Sequence, residues 1–206
     1  MLEVPSQEVV VKDLSTAFPI IHASLDYGTH KVRDFFDAEE RSINRYLAPN
    51  LVRYYALDYL SNHGLERIVL GNVPNNGLYL SNDQYNIKIL KSNHERIPVP
   101  GHSLSRQRYY QQQQQFFFLT DVEDSEKLNL LLLWDVIGRY QLGKLALACP
   151  QSGGLTRESV SAHWHCLIPQ EYYFKQSSNI DVKDVVIEDL PLQFNIDEGS
   201  VFESKE

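Results

Sequence analysis

From Thr29 to Ala48 the apolar residues Val32, Phe35, Phe36, Ile43, Tyr46 and Leu47 recur at helical spacing. Asp34, Asp37, Glu40, Arg41 and Arg45 lie largely on the other side, so one helix is predicted over this stretch. The sequence Ala48-Pro49-Asn50 breaks it, and Asn50 is placed as the N-cap of a second helix, LVRYYALDYLSNHG. Gly64 stops that helix, with His63 at the negative end of its dipole. An earlier helix is expected over residues 6–17, interrupted by Pro19.

After Gly64 the period shortens to two. GLYLSNDQYNIKIL reads as a β-hairpin turning at Ser81-Asn82-Asp83, with Tyr85, Ile87 and Ile89 on one face of its second strand. Two prolines and a glycine make ERIPVPGHS a loop. Strands are predicted in QFFFLTDV, NLLLLWDV, GKLALACP and HWHCLIP, connected by Asp121–Asp124 and Ile137–Tyr140. The second of these is apolar at consecutive positions, as a central strand covered on both faces must be. The chain is therefore expected to be α+β, with N-terminal helices packed on a mostly antiparallel sheet over residues 1–180. Residues 181–206 form an acidic C-terminal extension.

Charge sharpens that division. The extension carries eight acidic residues against two basic ones, a net of −6, which leaves the body at −2 of the chain's −8. A body so near neutrality leaves nucleic-acid contact possible without indicating it. Cys149 and Cys166 supply no disulfide framework and are expected as reduced thiols in apolar surroundings. The opening MLEVPSQEVV lacks a basic stretch followed by an apolar run, so no secretory signal is expected. The apolar run Leu130–Trp134 falls far short of the roughly 20 residues a bilayer requires. These features describe a cytoplasmic protein with no membrane association.

The segment PGHSLSRQRYYQQQQQFFF (100–118) holds the leading candidate site. Gly101 turns the chain and Ser103 caps a helix starting near Leu104. Arg106, Tyr109, Tyr110 and Gln113 then share one face at i, i+3, i+4 and i+7, with Arg108 beside them and Gln112 off that face. A guanidinium grips carboxylate or phosphate in a fork, and tyrosine adds rigid area with a polar tip, so the face suits binding of an anionic group. The competing reading is a solvated helix whose tyrosines merely cover the sheet.

A metal-dependent nuclease is the alternative from a different class. Asp121 and Asp135 end apolar strands and could hold Mg²⁺, Lys144 could sit near the attacked phosphate, and Glu39 or Glu40 could join them. No cofactor is implied outside that reading. His163, His165 and Cys166 in HWHC invite a zinc interpretation, perhaps with Cys149, but alternation along a strand turns the cysteine away from the histidines. No metal site is therefore assigned. CPQSGGL has two glycines after a strand but none of the remaining parts of a phosphate-binding loop.

The succession NNGLYLSNDQYNIKILKS, PVPGHSLSRQRYYQQ, NLLLLWDV and HWHCLIP resembles a bacterial toxin family from toxin–antitoxin defence modules. The antitoxins of that family carry a helix-turn-helix and a zinc-peptidase-like domain. The resemblance covers roughly residues 30–170 and implies a growth-inhibiting toxin neutralised by a cognate antitoxin-like protein. It carries no catalytic residues across. A non-catalytic adaptor, docking through its tail, is the third possibility.

Overall fold

A computed structural model describes residues 4–64, 68–71, 77–92, 96–112 and 127–174. The predicted strand QFFFLTDV and the acidic extension lie outside the described residues.

The helices are α1 (Gln7–Asp13), α2 (Phe18–Ala38), α3 (Ala48–His63), α4 (Leu104–Tyr110) and α5 (Glu171–Phe174). The strands are β1 (Val69–Leu70), β2 (Leu78–Ser81), β3 (Tyr85–Lys91), β4 (Leu128–Ile137), β5 (Gln141–Ser152) and β6 (Ser161–Leu167). They form one six-stranded sheet in sequence order. Every neighbouring pair is antiparallel except β3 and β4, which run parallel with Tyr85 opposite Leu128 and Lys91 opposite Trp134. The fold is α+β, as the hydrophobic pattern predicts.

The N-terminal helices divide differently from the sequence reading. Pro19 starts α2 instead of interrupting a helix, because a first-turn proline lacks an N–H that would have been unbonded anyway. The helix expected over 29–48 ends at Ala38, and Glu40 follows with φ 51°. Asn44 Oδ1 then accepts from the amides of Tyr46 and Leu47, starting the next helical segment. Asn50 consequently lies inside α3 and is not its cap, while α3 stops at Gly64 as expected.

Parallel pairing of β3 with β4 requires a crossover, and α4 lies on that crossover. The sheet is therefore covered twice. On one face, Leu80, Ile87, Ile89, Leu130, Leu132, Leu145 and Leu147 join Phe18, Ile21, Leu25, Val52 and Leu60 in a single apolar core. On the other, Tyr79, Leu131, Leu133, Ala146 and Ala148 pack with Tyr109 and Tyr110. β4 is buried at seven consecutive positions because it feeds both cores. Trp164 of β6 donates from Nε1 to the Pro5 carbonyl at 3.0 Å, tying the last strand to the start of the chain.

Candidate functional site

The segment 100–112 is fastened to the sheet by its own side chains. Ser103 caps α4 by accepting from the Arg106 amide at 3.4 Å, and Gln107 Nε2 donates to the Gly101 carbonyl at 2.7 Å. Tyr109 is fully buried. Its hydroxyl lies 2.6 Å from the Asn86 carbonyl and 2.7 Å from that of Leu130, between the two parallel strands. Tyr110, 1% exposed, donates to the Pro98 carbonyl at 2.7 Å. Gly153 lets this layer come close: a Cβ there would fall 2.7 Å from the Tyr110 ring and 2.8 Å from Pro100.

Gln112, expected off the working face, is the strongest anchor of the segment. Its amide donates to the Asn129 carbonyl at 2.9 Å and the Pro150 carbonyl at 2.6 Å, and accepts from the Asn129 amide at 2.8 Å. Its Pro150 contact lies where β5 loses register with β6. The backbone is held at φ 57°, a region unfavourable for a residue with a Cβ, and those hydrogen bonds offset the strain.

The proposed recognition face is thus split. Tyr109 and Tyr110 point into the core, and only Arg106 and Arg108 remain exposed. Gln113 lies outside the described residues. Helical spacing identifies residues that share a face but does not say whether that face looks in or out.

Arg106 opens onto a cleft of about 220 Å³ at the C-terminal end of β3. Pro49 and Arg53 of α3 come from one layer, Pro98, Val99, Arg106 and Tyr110 from the other, and Leu90, Lys91 and Trp134 from the strands between them. Among the described residues, none of the three cations forms a salt bridge. Arg53 Nη2 donates to the Asn50 side chain, while its buried Nε has no hydrogen-bond partner among the described residues. The indole Nε1 of Trp134, on a side chain 1% exposed, likewise has no hydrogen-bond partner among the described residues. Lys91 Nζ lies 4.7 Å from the centre of the Tyr140 ring and 5.8 Å from that of Trp134.

Mutual repulsion and burial mark this charge cluster. Burial, and then the charge of Arg106, pull the pKa of Arg53 below the usual arginine range. Lys88, whose ammonium lies 4.3 Å from the Tyr109 ring centre, falls to about 8 for the same two reasons. Burial also lowers Lys91, with Asp135 opposing the shift.

The residues of the nuclease alternative have other surroundings. Asp135 and Lys144 are brought together across the β4–β5 hairpin, where Asp135 Oδ1 accepts from the Lys144 amide at 2.8 Å. The β4–β5 register shifts once, between Trp134 and Val136, and a Cβ at Gly143 would lie 2.0 Å from that same oxygen. The carboxylate therefore caps a bulge of the hairpin. Asp121 lies outside the described residues. Among the described residues no group of three His, Cys, Asp or Glu could hold a metal ion. His163 and His165 are exposed on one face of β6, with Cys166 on the other. Burial pushes the Cys149 thiol up to about 12 and raises Cys166 as well, so neither is poised as a thiolate.

A scan of family models, a search of curated proteins and a search of solved structures each return no match to this chain. Among the described residues, no helix is long and apolar enough to cross a membrane.

Sequence reasoning found Arg106 and missed Arg53, Lys91 and Trp134, which come from three elements far apart in the chain. One signal was available. Lys91 continues the inward series Tyr85, Ile87, Ile89, so a charge stands where the pattern calls for another apolar residue.

Proposed function

We propose that this chain is a cytoplasmic, growth-inhibiting effector of a bacterial toxin–antitoxin or defence module, controlled by a cognate antitoxin-like protein. The resemblance of four segments to such toxins supports the biological role. The observation that carries the molecular part is Arg106: an exposed guanidinium with no salt bridge among the described residues, on a helix whose neighbouring tyrosines are locked into the core. A guanidinium carried on a backbone fixed in this way can offer charge-assisted hydrogen bonds to an anionic group of a target or partner without rearrangement of the helix. The nuclease reading is weaker, because Asp135 already spends an oxygen on the Lys144 amide.

Induced expression should arrest growth, and co-expression of the antitoxin-like partner should relieve it. Losing an arginine that bonds a charged group across an interface costs on the order of 2–5 kcal/mol, whereas an exposed side chain contributes within about 0.5 kcal/mol to the fold. Arg106→Ala should therefore abolish growth arrest or partner binding while leaving the melting temperature nearly unchanged. Full toxicity and full partner binding by Arg106→Ala would refute the assignment.

A further inference from the structure

We infer that the cleft between α3, the end of β3 and α4 is a binding site for a phosphomonoester, with Arg53, Lys91, Arg106 and the Trp134 indole gripping the phosphate. Among the described residues, folding has placed three cations around one cavity without a carboxylate in its lining. It has also buried two N–H donors, Arg53 Nε and Trp134 Nε1, that have no hydrogen-bond partner among the described residues. Each arrangement carries a cost, since a buried unsatisfied donor forfeits on the order of 1–3 kcal/mol. A single bound oxyanion neutralises the cations, and it accepts from the Arg53 and Trp134 N–H groups once a small side-chain rotation turns them from their buried positions into the cleft.

The number of donors chooses among anions. A carboxylate offers one charge and two oxygens. A phosphomonoester carries nearly two charges and three terminal oxygens, which suits two guanidinium forks, an ammonium and an indole N–H. The rest of the lining is apolar (Pro49, Leu90, Pro98, Val99, and the ring of Tyr110), which fits the organic part of an ester better than free phosphate. At about 220 Å³ the cleft far exceeds the roughly 10–15 Å³ needed for one water. The positive end of the α3 dipole faces the same space through Pro49, adding to the field.

The inference shares Arg106 with the effector reading but is tested on purified protein, not by growth arrest, so either can fail alone. The chain has two tryptophans, and Trp164 already donates its indole N–H to Pro5. An ¹⁵N-labelled sample of the full chain therefore shows two indole resonances, assigned with Trp164→Phe. Inorganic phosphate, and then a nucleoside 5′-monophosphate, are titrated at constant ionic strength, with acetate as the carboxylate control. The Trp134 resonance should move saturably with phosphate and with the monophosphate, the ester binding more tightly, while Trp164 stays still. Arg106→Ala and Arg53→Gln should each weaken binding at least tenfold, the former without disturbing the fold. Tighter binding of free phosphate than of the monophosphate would reassign the site to the free ion. An unmoved Trp134 resonance, an equal response to acetate, or unchanged affinity in Arg106→Ala would overturn the proposal.

Discussion

The two faces of the sheet are covered by different physics. Beneath α2 and α3 the contacts are almost entirely hydrocarbon: Leu130, Leu132, Leu145 and Leu147 against Phe18, Ile21, Leu25 and Leu60. Burial of this kind is strong and non-directional, so it fixes that the helices pack but tolerates small shifts in how. Beneath α4 the apolar patch is small, and the layer is held by polar groups reaching backbone: Tyr109 to Asn86 and Leu130, Tyr110 to Pro98, Gln112 to Asn129 and Pro150. Hydrogen bonds are worth less than a leucine core but are angular, and they hold a short helix in one position. The first face supplies stability and the second supplies position. Arg106 stands on the second, where a cation must be held at a fixed place beside Arg53 and Lys91.

The comparison breaks first under truncation of the apolar face. Leu132 is fully buried, and Leu132→Ala should cost about 2–5 kcal/mol, read as a large drop in the urea midpoint. Were that loss below 1 kcal/mol, the helix-covered face would not be the main source of stability.

On the opposite face the expected effect is smaller and more local. Gln112→Ala removes the hydrogen bonds that Gln112 makes with the Asn129 amide and with the Asn129 and Pro150 carbonyls and leaves an unfavourable φ unsupported, for about 1–3 kcal/mol. Its neighbour Gln111 is exposed, and Gln111→Ala should change stability by no more than about 0.5 kcal/mol. Similar losses from the two would mean that the polar network does not hold α4. Hydrogen exchange sharpens this point: in Gln112→Ala the α4 amides should exchange faster while those of α2 do not.

The subtlest prediction concerns pH. Lys88 has its pKa lowered to about 8 in the folded protein, from 10.5. Between those values the unfolded chain binds more protons at this residue, so its contribution to stability rises with pH from about 8 to 10.5. Below pH 8 the penalty of burying its charge is fully present. Buried tyrosines and Cys149 act in the opposite sense at alkaline pH, so the test is the difference between wild type and Lys88→Met. The advantage of Lys88→Met should be greatest below pH 8 and shrink toward pH 10.5, and Arg106→Ala should move the onset upward. A difference independent of pH would mean that Lys88 keeps an ordinary ammonium in the fold.

Much of the architecture is legible in the chain because it rests on local rules. Alternation in YNIKIL placed Tyr85, Ile87 and Ile89 on one buried face, and the Asn82 side chain turned the hairpin by accepting from Gln84 and Tyr85. The continuous apolar run of β4 announced a strand covered twice, and Ser103 announced the start of α4. Spacing and capping chemistry settled these, since each involves groups a few residues apart. Only the tertiary structure decided which way the 106-109-110 face of α4 looks, because a helical stripe has the same period whether it meets solvent or a sheet. Only it revealed Gln112 as an anchor, since the partners of that amide, Asn129 and Pro150, are 17 and 38 residues away. And only parallel pairing of β3 with β4, with α4 carried over the far face, brought Arg53, Lys91, Arg106 and Trp134 around one cleft. Such convergence is a product of long-range burial, which no short-range pattern encodes.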